Sequence, residues 1–356
     1  MMPVHPNDPT ADTPRELKVF ICSYPELQAG QMADRLRSYH AASDGRHRLT
    51  DDPEAADIIL VGAPGNEIDR LPYLRMIAQH DIIDRYPDKC FSLSLRDLPL
   101  PLQRGLYESS CSDLLSRGRV RTGAYARSTF NSLVAGHEAD DAPEADRDYL
   151  FTFIGRASHP VRERIFALQP ARSDILIEDS SSFNFWGNTD PAERERRLRR
   201  YFDLLRRSRF SLCPRGVGTG SIRLFESMRM GVAPIILADG WVRPVGPDWD
   251  RCALFVPERD VDQLERIARQ HAHRWRDMGE AARQAYRDWF ADDRYFNYVI
   301  DNCLDILRSQ RIAERHYWRA RKLVRLIAAP DSIELYLNLP RYYLARLGAL
   351  LRGKVR

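Results

Sequence analysis

The fold class predicted by the sequence is α/β: two Rossmann-like domains with parallel sheets facing across a cleft, then a helical C-terminal tail. Three observations predict it. Short apolar runs alternate with amphipathic helical patterns, an acidic turn-prone break interrupts them, and the alternation then restarts. A chain of 356 residues has enough length for two cores of ordinary size.

The elements follow in order. LKVFICSY (17–24) reads as a buried strand and LQAGQMADRLRSYHAA (27–42) as a helix. ADIILVG (56–62), LPYLRMIAQHDIIDRY (71–86) and KCFSLSL (89–95) repeat strand, helix and strand. Short strands with near-continuous apolar runs belong to parallel sheets covered on both faces. HEADDAPEADRD (137–148) is the predicted linker. Beyond it come strand YLFTFIG (149–155), helix PVRERIFAL (160–168), strand DILIED (174–179) and a charged helix over 191–207. RFSLC (209–213), SIRLFESMRM (221–230), APIILAD (233–239) and ALFVPE (253–258) continue as strand, helix, strand, strand, and helices dominate from Val261. The expected organisation is a loose arm over 1–15, a first domain over 16–136, the linker, a second domain over 149–310 and a basic tail over 311–356.

Composition narrows the class. Hydrophobic residues make up 44% and charged residues 29%, as in soluble globular chains. No apolar run approaches the roughly 20 residues of a membrane-spanning helix. MMPVHPNDPTADTPRE lacks the basic start and apolar stretch of a signal peptide, and the six scattered cysteines form no CxxC pair or zinc pattern. A cytoplasmic chain is expected. The net charge of +4 is uneven. Residues 311–356 hold eleven Lys/Arg against three Asp/Glu, leaving 43 basic and 47 acidic residues elsewhere. A basic tail on a mildly acidic body gives no argument for nucleic-acid binding.

The stretch richest in chemistry is CPRGVGTGSIRLFESMRMGVAPIILADGW (213–241), a strand, a glycine-rich turn and a helix. A helix start presents unpaired N–H groups and a positive dipole end, which favour an anion. Gly216, Gly218 and Gly220 would let backbone amides approach phosphate oxygens. Ser221 can cap the helix or donate to phosphate, and Arg215 and Arg223 supply planar donors suited to it. Three nucleotide readings compete. A Walker A loop requires a lysine that is absent. A dinucleotide fingerprint fits Gly216 and Gly218 but meets serine at 221, although Asp239 stands near the position of a ribose-binding acid. A nucleotide-sugar site would use the same amides and arginines for a diphosphate, with Glu226 one turn on for ribose hydroxyls. Against all three, such turns are often only turns, and Arg223 with Glu226 at i,i+3 could be a surface ion pair.

As a unit, the segment resembles the exostosin family of glycosyltransferases. The matching elements are FSLCPRG (210–216), Ser221, Arg223 and Glu226 in S-x-R-x-x-E, Gly231 with API (233–235), and DGWVRP (239–244) with Trp249. ALFVPERDV (253–261) and AYRDWFADDRYFNYVIDNCLDIL (285–307) resemble the family's following segments. FTFIGRASHPVRERIFAL (151–168) resembles the opening of its second domain, with Arg156 and Arg162 near the expected phosphates. The likeness covers roughly 150–305, and YPDKCFSLSLRDLP (86–99) and GLYES (105–109) match more loosely.

The resemblance implies a GT-B fold, a nucleotide-sugar donor (UDP by family habit) on the second domain, and inversion at the anomeric carbon. It implies a glycan or lipid-linked acceptor approaching the first domain, and no cofactor or bound metal. Asp140-Asp141 lies in the linker and Asp292-Asp293 in a helical context, so neither makes a convincing metal-binding triplet. Arg215 and Arg223, with the amides of 216–221 and Arg156, are expected to neutralise the leaving nucleotide. The base that an inverting transfer needs is not identified. Asp97 and Glu108 lie on the expected ligand edge but are also ordinary loop acids. Asp239 could orient sugar or cap a turn, and His159 fits a loop hydrogen bond better than a base.

PRYYLARLGALLRGKVR (340–356) sets Tyr343, Leu344, Leu347, Leu350 and Leu351 on one stripe with arginines outside it. This predicts peripheral contact with an anionic membrane surface or a partner. RHYWRARKLVRLIAAP (315–330) has a similar mix, but packing on the protein's own core is expected there.

Overall fold

The computed structural model describes residues 16–24, 31–63, 65, 66, 73, 76, 77, 79–99, 101–112, 118–125, 131–137, 147–183 and 190–327. The arm, most of the linker and the 340–356 stripe lie outside the described residues.

Two parallel sheets form the frame. The first has strand order β2-β1-β3-β4-β5-β6, where β1 is Lys18–Ser23, β2 Arg48–Leu49, β3 Ile58–Gly62, β4 Cys90–Ser94, β5 Gly105–Tyr107 and β6 Val120–Thr122. The second has order β11-β10-β9-β7-β8, with β7 Tyr149–Gly155, β8 Ile175–Asp179, β9 Ser208–Pro214, β10 Ala233–Leu237 and β11 Leu254–Phe255. All the pairings are parallel. β3, β4 and β10 are buried along their whole length, because helices cover both faces and no side has to meet water.

The expected strands 17–24, 56–62, 89–95, 149–155, 174–179, 209–213 and 233–239 all occur, with ends shifted by one or two residues. The strand expected over 253–258 shrinks to Leu254–Phe255, after which the chain turns into a 3-10 segment, Glu258–Gln263. Three further strands, β2, β5 and β6, have two or three residues each and leave no pattern in the sequence.

Local signals account for the helices that matter. Helix Pro191–Arg206 opens on Asp190, whose carboxylate accepts from Ala192 N–H at 3.1 Å, with proline in the first turn. Helix Ile222–Arg229 starts after Ser221 and is stopped by Gly231. That glycine adopts φ +62° while the N–H of Val232 donates to Ser227 O at 2.9 Å. Helix Trp275–Trp289 lies beneath it so closely that a Cβ on Gly279 would meet Gly231 O at 2.4 Å.

The domain boundary expected at 310 moves. After helix Trp275–Trp289 the chain crosses back, and helix Asp292–Ser309 packs on the first domain's helix Gln31–Ala42. Tyr39 meets Tyr295 at 5.3 Å and His40 meets Phe296 at 4.9 Å. The Tyr295 hydroxyl donates to Ala124 O at 2.9 Å, and Arg121 bonds Asp305. The physical reason is an apolar helix surface too wide for one partner: Tyr295, Phe296, Val299, Ile300, Cys303 and Ile306 are all buried.

Helix Glu314–Ile327 follows onto the first sheet, as packing on the protein's own core requires. Trp318 is buried and donates to Asp84 at 2.6 Å, and the Arg119 guanidinium forks onto Glu314, both side chains buried. One aromatic cluster runs from Phe225 through Phe290 to Tyr298 and Tyr295, so the two sheets share a continuous core.

Candidate donor site at the carboxyl ends of the second sheet

Ligands of open parallel sheets sit beyond the carboxyl ends of the strands. At that edge the second sheet carries the loops 156–159 after β7, 215–221 after β9, 238–242 after β10 and 256–258 after β11. These loops bring most of the expected residues together.

Arg215 begins the turn. Its backbone N–H donates to Leu237 O at 2.8 Å, which ties the turn to the end of β10. Its guanidinium touches only its own loop, at Gly216 O (3.4 Å) and Val217 O (3.2 Å), and stays part-exposed. Ser221 is the N-cap of helix Ile222–Arg229, yet its hydroxyl makes no capping bond. A cation, an unengaged hydroxyl and a helix start therefore lie within seven residues. Arg156 is exposed on the facing loop.

The other arginines build the site. Arg162 donates from Nε to Arg215 O (2.8 Å), from Nη2 to Pro214 O (3.0 Å) and from Nη1 to Arg156 O (3.3 Å), clasping two loops. Burial and then Arg223 hold its pKa down to about 10, so it remains charged at neutral pH. Arg223 lies over the rings of Phe153 (4.7 Å) and Tyr201 (5.3 Å) and donates to Ile154 O and, at 3.5 Å, to Leu212 O. It pins the ends of β7 and β9.

Two expectations change in their physical basis. Glu226 is not an open ribose acceptor. It is 6% exposed, and its Oε2 accepts from the Tyr201 hydroxyl at 2.7 Å. Burial raises its pKa, while Tyr201 and Arg223 pull it down. Tyr201 thus takes one of the two carboxylate oxygens and leaves a ribose hydroxyl only Oε1. The surface ion pair read from the i,i+3 spacing is also not what forms, since Arg223 spends its donors on carbonyls.

The glycines have a second purpose. A Cβ on Gly216 would meet Ser158 Oγ at 3.1 Å, within the second domain. On Gly218 it would stand 2.5 Å from Ser109 Oγ and 2.8 Å from Asp97 O; on Gly220, 2.6 Å from Glu108 O and 2.7 Å from Tyr125. Gly218 and Gly220 thus let the turn close on the first domain. Thr219 between them is buried and donates to Ser110 O at 3.1 Å. Cys111 and Trp241 form an antiparallel bridge, flanked by Ser112 N–H to Gly240 O (2.8 Å) and Val242 N–H to Ser110 O (3.1 Å).

This seam carries Asp97 to the turn. The Asp97 carboxylate accepts from Asn66 Nδ2 (2.8 Å) and the Tyr125 hydroxyl (3.0 Å), and Tyr125 also bonds Ser109 Oγ at 2.8 Å. Glu108 is 4% exposed, in the surroundings of Tyr39, Tyr125 and Tyr295. Its burial sets it apart from the part-exposed Asp97.

Sequence reasoning gave Glu258 no role. Asp239 N–H donates to Glu258 Oε1 at 2.9 Å, and Glu258 N–H donates to Asp239 Oδ1 at 3.2 Å. His159 Nδ1 stands 3.9 Å from Glu258 Oε2 and accepts from Val161 N–H at 3.3 Å. Burial, Arg215 and Arg162 hold His159 down to about 4, so it is neutral at pH 7. Burial raises the Glu258 pKa against the lowering effect of the Asp239 amide and Arg215. The signal was present as PE (257–258) directly after a strand, but a lone strand-end acid is too common to single out.

Among the described residues no group of three or more His, Cys, Asp or Glu side chains could hold a metal ion, and no helix is long and apolar enough to cross a membrane. Asp292 and Asp293 occupy the first turn of helix Asp292–Ser309.

Residues 122–271 match the exostosin GT47 domain model. The span includes the candidate residues 156–258 described above and excludes Asp97. The chain is 28% identical over 181 residues to the exostosin-1 homolog of Caenorhabditis elegans, covering 47% of each chain. It is 38% identical over 69 residues to the probable beta-1,4-xylosyltransferase IRX10 of Arabidopsis thaliana, covering 19% of this chain and 17% of that one. The chain thus spans about half, or less, of the length of these curated relatives. Among solved structures, WaaG, a glycosyltransferase involved in lipopolysaccharide biosynthesis, aligns with 81% of this chain and 99% of its own at 12% identity and a TM-score of 0.36. The two parallel sheets are those expected of a GT-B fold, and over residues 122–271 the chain is similar to the exostosin GT47 domain.

Proposed function

We propose that the chain is an inverting glycosyltransferase that uses a nucleotide-sugar donor, UDP-linked by family habit, and needs no bound metal. The observation that carries the reading is the convergence, at the carboxyl edge of the second sheet, of Arg215, the unbonded Ser221 hydroxyl and the start of helix Ile222–Arg229, facing Asp97 across the seam. Diphosphate oxygens accept from the amides of 216–221 and from Ser221. Arg215, held to the sheet by its backbone, meets the charge that grows as the glycosidic bond breaks. Arg156 adds a second cation from the facing loop. Arg162 and Arg223 act through position, keeping the loops in place.

Asp97 is the base of this proposal. It takes the proton of the acceptor hydroxyl as that oxygen attacks the anomeric carbon from the face opposite the leaving diphosphate. Its carboxylate is oriented by Asn66 and Tyr125, and each oxygen keeps a further lone pair for the acceptor. The acceptor is a glycan or a lipid-linked saccharide. The basic stripe of 340–356 would hold such an enzyme at the cytoplasmic face of a membrane.

The test is release of nucleoside diphosphate from a panel of UDP- and GDP-sugars, with and without saccharide acceptors, in EDTA. Arg215→Ala should lower turnover about 10²–10³-fold, the usual cost of one preorganised donor to a developing oxyanion. Folding should be unchanged, since the side chain bonds only its own loop. Turnover that is equal in both proteins would take Arg215 out of the site.

A further inference from the structure

Glu226, on the helix after the turn, is 6% exposed and gives its Oε2 to the Tyr201 hydroxyl, so it offers hydroxyl groups one oxygen at most. A different carboxylate stands at the same sheet edge. Glu258 is held twice by Asp239, through its Oε1 and through its own N–H, so both its backbone and one carboxylate oxygen are fixed. Its Oε2 takes no hydrogen bond from any described residue. His159 lies 3.9 Å away, but the Nδ1 lone pair of that ring is already directed to Val161 N–H. The imidazole proton therefore sits on Nε2, which is left as a donor.

The Glu258 side chain is 20% exposed and His159 24%, so both open partly to solvent. The Arg215 charge acts on each of them, which places the pair beside the cation assigned to the diphosphate. A fixed carboxylate oxygen with unused lone pairs, next to a phosphate-binding cation, suits a neutral polyhydroxyl group better than a second anion. An anion would meet the carboxylate's own charge.

We infer that Glu258 is the donor-site carboxylate that accepts hydrogen bonds from a vicinal diol of the nucleotide sugar, with His159 Nε2–H as the neighbouring donor. This rests on the transferase reading above. The diol belongs either to the ribose or to the transferred sugar, and the two sources separate by experiment.

Binding of inorganic pyrophosphate, UDP, GDP, their 2′,3′-dideoxy forms, UDP-glucose and GDP-mannose is measured calorimetrically for the full chain and for Glu258→Gln. The substitution keeps an amide oxygen for Asp239 N–H, so the clasp survives, and equal melting temperatures check this. A hydrogen bond to a charged group supports a preference of about 10- to 100-fold. If the diol is the ribose, the unaltered chain prefers UDP or GDP to the dideoxy form by that factor, and E258Q loses the preference. If it is the sugar, the lost preference is that of the nucleotide sugar over its diphosphate. Pyrophosphate binding is unchanged in either case. E258Q with both preferences intact overturns the inference. So does an unaltered chain that binds pyrophosphate and nucleotides without any preference for hydroxyls, and in that case the transferase reading survives. An unaltered chain that binds none of the probes removes both.

Discussion

Gly218→Ala separates two explanations of the same glycine. If the residue is glycine only so that a phosphate can approach, a methyl group there costs nothing until ligand is present. The structure places that methyl 2.5 Å from Ser109 Oγ, 2.8 Å from Asp97 O and 2.9 Å from Asp97 Cα. The serine hydroxyl could rotate, but the Asp97 backbone follows directly from β4 and cannot yield alone. Overpacking of this kind costs about 1–3 kcal/mol. Urea denaturation of the ligand-free chain should show that loss. Gly45→Ala serves as the contrast: nothing lies within 4 Å of its added Cβ, so only the left-handed φ of +72° is penalised, by about 1 kcal/mol. Adding Ser109→Gly to Gly218→Ala should recover only part of the loss, because the contacts with Asp97 remain. A ligand-free Gly218→Ala chain as stable as the unaltered one would refute the seam as the reason for the glycine.

Other outcomes follow from the same geometry. Glu314→Ala leaves the Arg119 guanidinium buried without its carboxylate and should cost about 3–5 kcal/mol by chemical denaturation. Glu226 has a folded pKa raised above its unfolded value, so the folded state binds the extra proton. Stability should therefore fall as pH rises from about 4.5 through the raised pKa, and Glu226→Gln should flatten that slope in denaturation midpoints. His159 runs the other way: with a folded pKa of about 4 against 6.5 unfolded, stability should drop as pH falls from 6.5 to 4. At a part-exposed site this amounts to about 1–2 kcal/mol, and His159→Asn, which can still cap the helix, should remove it.

Much of the frame could be read in advance because it rests on local pattern. Continuous apolar runs such as IILVG and APIIL become buried parallel strands wherever helices can cover both faces. The short strands β5 and β6 have three residues each, too few for any period to register, and form because β4 offers them an edge. The return of helix Asp292–Ser309 to the first domain depends on which apolar surface remains uncovered, a tertiary fact. At the site, Arg215, Ser221 and the glycine turn were legible from spacing along one strand–turn–helix unit. What spacing along the chain cannot convey is what lies across it. Tyr201 bonds Glu226 from another helix, Gly218 and Gly220 meet the first domain, and Glu258 pairs with Asp239 nineteen residues away.

The central claim is that the turn after β9 holds the diphosphate of a nucleotide sugar. It is tested most directly by thermal unfolding of the full chain in EDTA with UDP, GDP or NAD. A ligand at one hundred times its dissociation constant adds about 2.7 kcal/mol of stability, which is readily seen. The account predicts that UDP or GDP raises the melting temperature of the unaltered chain and not that of Arg215→Ala. A rise with NAD alone would make the glycine turn a dinucleotide site and contradict the account.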